Sequence, residues 1–148
     1  MFGLQAVLAW VLSAPLVGAI AASAPLGPID VLGAVVVVFG IGFESIADAQ
    51  LARFKADSAN GAGVMDSGLW RYTRHPNYFG EFCVSWGLYL IALAGGAWWV
   101  VFSPVAMTAL LLRVSGVALL ERDIAERRPG YREYVARTNA FLPWLPHR

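Results

Sequence analysis

Apolar residues fill the first third of the chain in two long runs separated by a break rich in proline. The first charged side chain is Asp30, so Met1–Ala24 is an uncharged run. Because about 20 apolar residues cross the bilayer hydrocarbon as a helix, this run predicts a first membrane span. The sequence PLGP at Pro25–Pro28 ends it. A second apolar run predicts a second span from about Val31 to about Gln50.

A secretory signal peptide is the competing interpretation of the first run. Residues Ala22–Ala24 read ASA, which is similar to a cleavage site. A signal peptide also needs a basic region before its apolar part, and no lysine or arginine precedes this run. We therefore expect a membrane span there.

The second half of the chain contains another uncharged stretch, Phe82–Leu112. At about 1.5 Å per residue it is too long for one crossing of about 30 Å. The sequence AGG at Ala94–Gly96 is the natural turn, which gives spans near Asn77–Leu93 and Trp98–Leu120. The pattern therefore predicts an all-α integral membrane protein with four transmembrane helices, short cytoplasmic C-terminal helices and a single domain over residues 1–148.

Composition and the placement of charge agree with this fold class. The chain is 58% hydrophobic and 14% charged, against roughly 45–50% and about 25% in soluble domains. The positive-inside rule then places both termini in the cytoplasm, in what we expect to be a bacterial inner membrane. Its basis is the arginines and lysine after spans two and four: Arg53, Lys55, Arg71 and Arg74, then Arg122, Arg127, Arg128, Arg132, Arg137 and Arg148.

Acidic and amide side chains enter the predicted spans at two places. Glu44 and Asp48 are four residues apart at the end of span two, and Asn77 and Glu81 have the same spacing at the start of span three. Each pair therefore shares a helix face. Ionisable groups at such depth are costly and usually face a bundle interior or a wet cavity. They either pair with nearby arginines to hold the bundle together or form a polar site.

The block GLWRYTRHPNYFGE at Gly68–Glu81 places basic, aromatic and amide side chains at the mouth of an apolar run. Pro76 suits the first position of a helix, with His75 near the cap. The free N–H groups of a helix start, together with basic side chains, favour an anion such as a phosphate. The candidate phosphate contacts are Arg71, Arg74 and His75, and the flat rings for a base or nicotinamide are Trp70, Tyr72 and Tyr78.

The C-terminal part adds a second polar element on the same predicted side of the membrane. Arg122 and Asp123 belong to a charged continuation of span four, which Pro129–Gly130 interrupts. Tyr131 and Tyr134 then lie three apart on a short helix. We expect no metal site, because the chain has two histidines and one cysteine and no zinc-ligand spacing.

Three blocks of the chain resemble the C-terminal domain of the steroid 5-alpha-reductase family, most closely a bacterial branch of it. They are Glu44–Asp57, Gly68–Glu81 and Glu121–Trp144, and the resemblance runs from about Val31 to the C-terminus. The middle block is the most specific, with its Arg-His-Pro-Asn-Tyr core followed by Gly-Glu.

The resemblance implies NADPH as cofactor and a lipid-soluble enone, steroid-like or isoprenoid, as substrate. In the reductases the residues that match Asn77 and Glu81 lie beside NADPH. The residue matching Asp48 and a basic residue near Lys55 are implied contacts too. The last block resembles the tail that closes over NADPH in sterol reductases, which implies roles for Arg122, Asp123 and Tyr134.

Isoprenylcysteine and phospholipid methyltransferases are a related alternative. They share the Arg-His-Pro-x-Tyr block and a similar tail, and they bind S-adenosylmethionine in a similar place. The continuation NYFGE and the upstream block with Glu44 and Asp48 favour the reductase.

The chain departs from the reductase pattern near its start. Reductases carry several further N-terminal spans, which supply the proton donor and much of the substrate pocket, whereas one predicted span precedes the matched region here. Hydride delivery to an enone needs an acid at the carbonyl oxygen. Either Glu44 or Tyr78 takes that role, or a second copy or partner chain supplies it, or the chain binds without catalysing. We expect membrane lipid and a lipid-soluble small molecule as partners, and no nucleic acid.

Overall fold

The computed structural model describes residues 2–21, 24–57, 63–115 and 130–147. Within these ranges the chain is helical and contains no strand, so the all-α prediction is confirmed. The α-helices are α1 (Phe2–Leu12), α2 (Ala14–Ile20), α3 (Pro28–Ala56), α4 (Pro76–Ala94), α5 (Phe102–Ala109) and α6 (Tyr131–Arg137). Single turns of 3-10 helix cover Gly68–Arg71 and Trp98–Val101, and a π-helical segment covers Leu110–Ser115.

Helix α3 is 29 residues long and is the one described helix whose length and composition suffice to cross a membrane. Only 11% of its most apolar window is buried. Its buried positions include the small residues Gly33, Gly40 and Ala47, spaced by seven. Between residues 28 and 46 the exposed large side chains are apolar: Ile29, Val31, Leu32, Val35, Val38, Phe39, Ile41 and Ile46.

The predicted first span, Met1–Ala24, is wrong as a single helix. The described part of this run forms two helices, α1 and α2, which meet at Ser13. The physical reason is Pro15, which lies in the first turn of α2. Proline has no N–H, and its ring clashes with the carbonyl four residues earlier, so an apolar helix cannot continue through it unbroken.

The third predicted span, Asn77–Leu93, is confirmed as a helix, since it falls inside α4, and its crossing of a membrane stays a prediction. The turn at Ala94–Gly96 is also confirmed. Gly96 has φ of 89°, and the N–H groups of Gly96 and Ala97 donate to the carbonyls of Leu93 and Ala92. This is a Schellman ending, which favours glycine in the left-handed position.

The fourth predicted span, Trp98–Leu120, is not one regular helix. It begins as a 3-10 turn, continues as α5 and then changes to the π-helical segment Leu110–Ser115. Residues 116–129 lie outside the described residues. Pro104 is in the first turn of α5, where a proline is tolerated but cannot extend a helix from before it. Among the described helices, only α3 has the length and apolarity of a span, so four crossings remain a prediction.

The chain forms two compact units, each built from two stretches. Unit 1 comprises Met1–Ile41 and Phe82–Ala109, and unit 2 comprises Gly42–Glu81 and Leu110–Arg148. Helices α3 and α4 each contribute one part to each unit.

Unit 1 is held together by close contact between helix backbones. A Cβ atom on Gly33 would lie 2.8 Å from the carbonyl oxygen of Gly87, and a Cβ on Gly87 would lie 2.8 Å from that of Gly33. Small residues at this point let α3 and α4 touch, as in packed membrane helices. A second cluster in the same unit is formed by Ala92, Ala97 and Val100.

We expect Gly87→Ala to destabilise the protein by about 1–3 kcal/mol, because the added methyl group overpacks a backbone contact that cannot move far. Gly42→Ala is the matched control, since a Cβ on this α3 residue meets nothing within 4 Å. Thermal unfolding followed by circular dichroism should show a lower midpoint for Gly87→Ala only. Equal midpoints for the two variants would contradict the close packing of α3 and α4.

Candidate functional site

The segment 69–75 of unit 2 begins inside the 3-10 turn and ends directly before α4, and α3 fixes its start. The backbone N–H of Leu69 donates to Oε1 of Gln50 at 3.0 Å. The indole N–H of Trp70 donates to the carbonyl of Ala47 at 3.0 Å. Two bonds to one face of α3 therefore set the position of the ring of Trp70.

Thr73 lies at the centre of this segment with no exposed surface. Its hydroxyl donates to the carbonyl of Phe141 at 2.8 Å and accepts the backbone N–H of His75 at 3.3 Å. A buried hydroxyl that both donates and accepts loses little by leaving water. Thr73 thus joins the residue before α4 to the C-terminal tail.

Helix α6 contacts the same segment through its buried tyrosine. The hydroxyl of Tyr134 donates to the carbonyl of Trp70 and lies 3.4 Å from that of Thr73. Nη1 of Arg74 donates back to the carbonyl of Val135, in α6, at 3.3 Å. Arg74 and Tyr134 therefore help to build the fold as well as face the site.

Residues 138–147, called here the tail, dock on the other backbone groups of the segment. The N–H of Arg74 donates to the carbonyl of Asn139, and the N–H of Trp144 donates to that of Tyr72, both at 2.9 Å. The ring of Phe141 meets Phe79 of α4 edge-on, with centroids 6.1 Å apart. The tail thereby holds the segment in one conformation.

A cavity of about 280 Å³ opens beside this segment, and we call it the Asn77 cavity. It lies wholly within unit 2. Its lining combines cationic and polar side chains with aromatic rings. The lining residues are Leu51, Phe54, Lys55, Val64, Met65, Trp70, Arg74, His75, Asn77, Tyr78, Tyr131 and Tyr134.

The polar group that stands out in this cavity is the amide of Asn77, in the first turn of α4. Its Oδ1 is buried and has no hydrogen-bond partner among the described residues. Such a group usually marks a place for water, an ion or a ligand, because an unmet buried acceptor is costly. Beside it, the buried ring of His75 stacks on Tyr78, with centroids 5.4 Å apart and planes 8° apart.

Six of the predicted site residues line the Asn77 cavity: Lys55, Arg74, His75, Asn77, Tyr78 and Tyr134. Arg71 does not, because its exposed side chain lines a second cavity of unit 2. The predicted cluster of Arg71, Arg74 and His75 is therefore divided between two cavities. Arg122 and Asp123 lie outside the described residues.

The three predicted acidic residues that the structure describes, Glu44, Asp48 and Glu81, do not line the Asn77 cavity. Glu44 is half-buried and interacts electrostatically with both Asp48 and Glu81, so these carboxyl groups form a neighbouring acidic group; Asp48 itself is exposed. Of the two helix pairs that the sequence suggests for a polar site, only Asn77 lines this cavity. Its position in the first turn of α4 is next to segment 69–75, whereas Glu81 is one turn further on.

Sequence reasoning missed Thr73 and Gln50, on which the position of the segment depends. A threonine between two basic residues looks like an ordinary loop residue. Gln50 carried a weak signal of a structural role, because it is a polar amide at the end of an apolar run that also contains Glu44 and Asp48. Its partner is 19 residues away in the chain, so no local pattern reveals it.

The described residues define a helical protein with one helix long and apolar enough to cross a membrane, and with a polar, aromatic-lined cavity at the start of another helix. The chain belongs to the DUF1295 family, described as a protein of unknown function, whose profile matches residues 1–138. This family is associated with steroid 5-alpha-reductase-like proteins. The resemblance is thus supported at family level and extends further towards the N-terminus than we expected; the bacterial branch stays a prediction.

An uncharacterized protein of Schizosaccharomyces pombe is 31% identical to the chain over 97 residues. The aligned part covers 63% of this chain and 28% of that relative. The chain therefore corresponds to a minor part of the fungal protein. No solved structure matches the chain.

We expect Thr73→Val, which keeps the shape and removes the hydroxyl, to destabilise unit 2 by about 1–3 kcal/mol, because the carbonyl of Phe141 and the N–H of His75 lose their partner. Trypsin should then cleave after Arg137 faster, since the tail is released more often. The control is Ser67→Ala, at an exposed hydroxyl whose contact is a sulfur 3.8 Å away. A cleavage rate that Thr73→Val leaves at the wild-type value would refute this role.

Proposed function

We propose that this chain is a membrane-embedded, NADPH-dependent reductase-like protein that acts on a lipid-soluble enone, steroid-like or isoprenoid. The observation that carries the proposal is the unmet Oδ1 of Asn77 in a cavity lined by Lys55, Arg74 and aromatic rings. A ligand N–H, such as that of a carboxamide, would satisfy this acceptor.

The side chains that line the Asn77 cavity suit NADPH chemically, and the volume of the cavity accommodates part of it. Lys55 and Arg74 supply positive charge for phosphates, and Trp70, Tyr78 and Tyr131 supply flat faces for a ring. A volume of about 280 Å³ is at the small end of ligand pockets, which are roughly 300–1,000 Å³. The Asn77 cavity therefore suits one end of the dinucleotide, and the rest would extend through its open side.

Bound NADPH would supply the hydride for the reduction. The protein must then supply an acid at the carbonyl oxygen of the enone. Of the two candidates from the sequence, Tyr78 is favoured, because its side chain lines the Asn77 cavity and that of Glu44 does not. The ring of His75, stacked on Tyr78, would keep the phenol in place.

Membrane embedding is the second part of the proposal. Helix α3 exposes large apolar side chains and buries glycine and alanine, which is the inverse of a helix packed in water and suits contact with lipid. We propose an integral membrane protein with four crossings and both termini in the cytoplasm, on the basis of the basic loops. A substrate dissolved in lipid would then reach the protein from within the bilayer.

S-adenosylmethionine methyltransfer is the alternative function. The position of Arg71 outside the Asn77 cavity favours it, because fewer cations then remain for the phosphates of NADPH. The facing rings could also hold a sulfonium cation. Against it, Lys55 and Arg74 would repel that cation.

We expect Lys55→Gln and Asn77→Ala each to weaken NADPH binding by roughly ten- to a hundredfold, because each removes a charged or buried hydrogen-bonding contact worth about 1.5–3 kcal/mol. Calorimetric titration of the purified chain measures this. Arg53→Gln is the matched control, since it removes the same charge from an exposed residue of α3 that does not line the cavity.

Equal losses for Lys55→Gln and Arg53→Gln would indicate a diffuse charge effect and would refute the assigned site. Unchanged affinity in Asn77→Ala would refute the role of its amide. Arg74→Ala is unsuitable for this test, because the guanidinium also bonds to α6 and its loss would affect the fold as well as binding.

The proposed topology predicts that a reporter active only in the periplasm gives no signal when fused after Arg148. The same reporter placed between Gly95 and Gly96, in the predicted outer turn, should be active and serves as the positive control. A strong signal from the fusion at Arg148 would overturn the topology.

A further inference from the structure

Unit 2 contains a second cavity, of about 710 Å³, which the proposed reductase site does not use. We call it the Arg71 cavity. Arg71, Arg137 and His147 all line it, and Asp66 is the one acidic residue among the described lining residues. The carboxylate of Asp66 is 3.4 Å from Arg137 and is already engaged in that ion pair. The cavity therefore has a surplus of positive charge.

The rim of the Arg71 cavity continues into an exposed apolar surface. Leu145 lines the cavity and also lines a neighbouring hollow with Tyr72 and Trp144. The exposed fractions are 71% for Leu145 and 67% for Trp144, and Leu142 beside them is 61% exposed. Side chains of this size are usually covered, unless they meet a membrane or a partner.

The joint presence of cations and exposed aromatic rings selects one kind of partner. Tryptophan and tyrosine favour the membrane interface, where the ring meets lipid and the polar edge meets water. Basic side chains at the same level attract anionic headgroups. A soluble phosphate ligand would use the cations but would leave Trp144 and Leu145 exposed to water.

We propose that the tail surface seats an anionic phospholipid, with the headgroup phosphate in the Arg71 cavity and Trp144 and Leu145 at the acyl boundary. This inference rests on the proposed membrane location, not on NADPH binding. The tail would then be a membrane-contacting strap that also positions segment 69–75, since the N–H of Trp144 holds the carbonyl of Tyr72.

The test is native mass spectrometry of the full chain in detergent, titrated with phosphatidylglycerol or phosphatidylcholine. Phosphatidylglycerol should bind more tightly, and Arg71→Gln should weaken it by about fivefold, the effect of one basic residue near a headgroup. Arg132→Gln is the matched control, because Arg132 is an exposed arginine of α6 that lines neither cavity. Equal binding of the two lipids, or equal losses in the two variants, would overturn the proposal.

Trp144→Ala tests the apolar half without touching charge, and circular dichroism checks its fold. The variant should bind both phosphatidylglycerol and phosphatidylcholine more weakly than the wild type. Unchanged binding of both lipids would refute contact with the acyl boundary.

Two soluble competitors separate the sources of phosphate. Glycerol 3-phosphate that displaces phosphatidylglycerol at equal concentration would indicate a soluble-phosphate pocket, and displacement by NADPH would assign the cavity to the cofactor; either result contradicts the lipid. If the chain binds NADPH but shows no preference between the two lipids, the lipid inference fails and the proposed reductase function does not.

Discussion

The buried hydroxyl of Thr73 connects two parts of unit 2 that lie far apart in the chain. It accepts the N–H of His75, immediately before α4, and donates to the carbonyl of Phe141 in the tail. The bond from His75 is buried, and a hydrogen bond is stronger at low dielectric than in water, so Thr73 helps to hold the docked tail against the start of α4. If the tail leaves, Thr73 and Arg74 lose their bonds to Phe141 and Asn139, whereas α3 still holds Trp70.

The same constraint explains why the site residues also serve the fold. Arg74 bonds to α6 through its side chain and to Asn139 through its backbone, and Tyr134 bonds to segment 69–75. A cavity built from such residues is preorganised, which reduces the cost of ordering on binding. Asn77 differs from them, because its Oδ1 has no such structural bond among the described residues. It is therefore the residue whose loss should affect a ligand more than the fold.

The amino-acid sequence predicts the broad fold and about half of the geometry of the site. Helix α4, its start at Pro76 and its end at Ala94 follow from local chemistry: a proline at the first helical position, and the left-handed Gly96 in the turn after the helix. Pro15 also indicates the helix break near Ser13, but the uncharged run on both sides of it favoured a single span in the prediction. Contacts between distant residues, such as Thr73 with Phe141 or Leu69 with Gln50, leave no periodic trace. The assignment of Arg71 to a different cavity from Arg74 depends on those contacts and so was not predictable.

Cofactor choice is the central claim, and titration of the purified wild-type chain with NADPH, NADH and S-adenosylmethionine tests it most directly. Trp70 lines the Asn77 cavity, so its fluorescence should report the binding of a ring there. The account predicts saturable binding of NADPH, weaker binding of NADH, which lacks the 2′-phosphate, and none of S-adenosylmethionine. Binding of S-adenosylmethionine alone, or of none of the three, would contradict it.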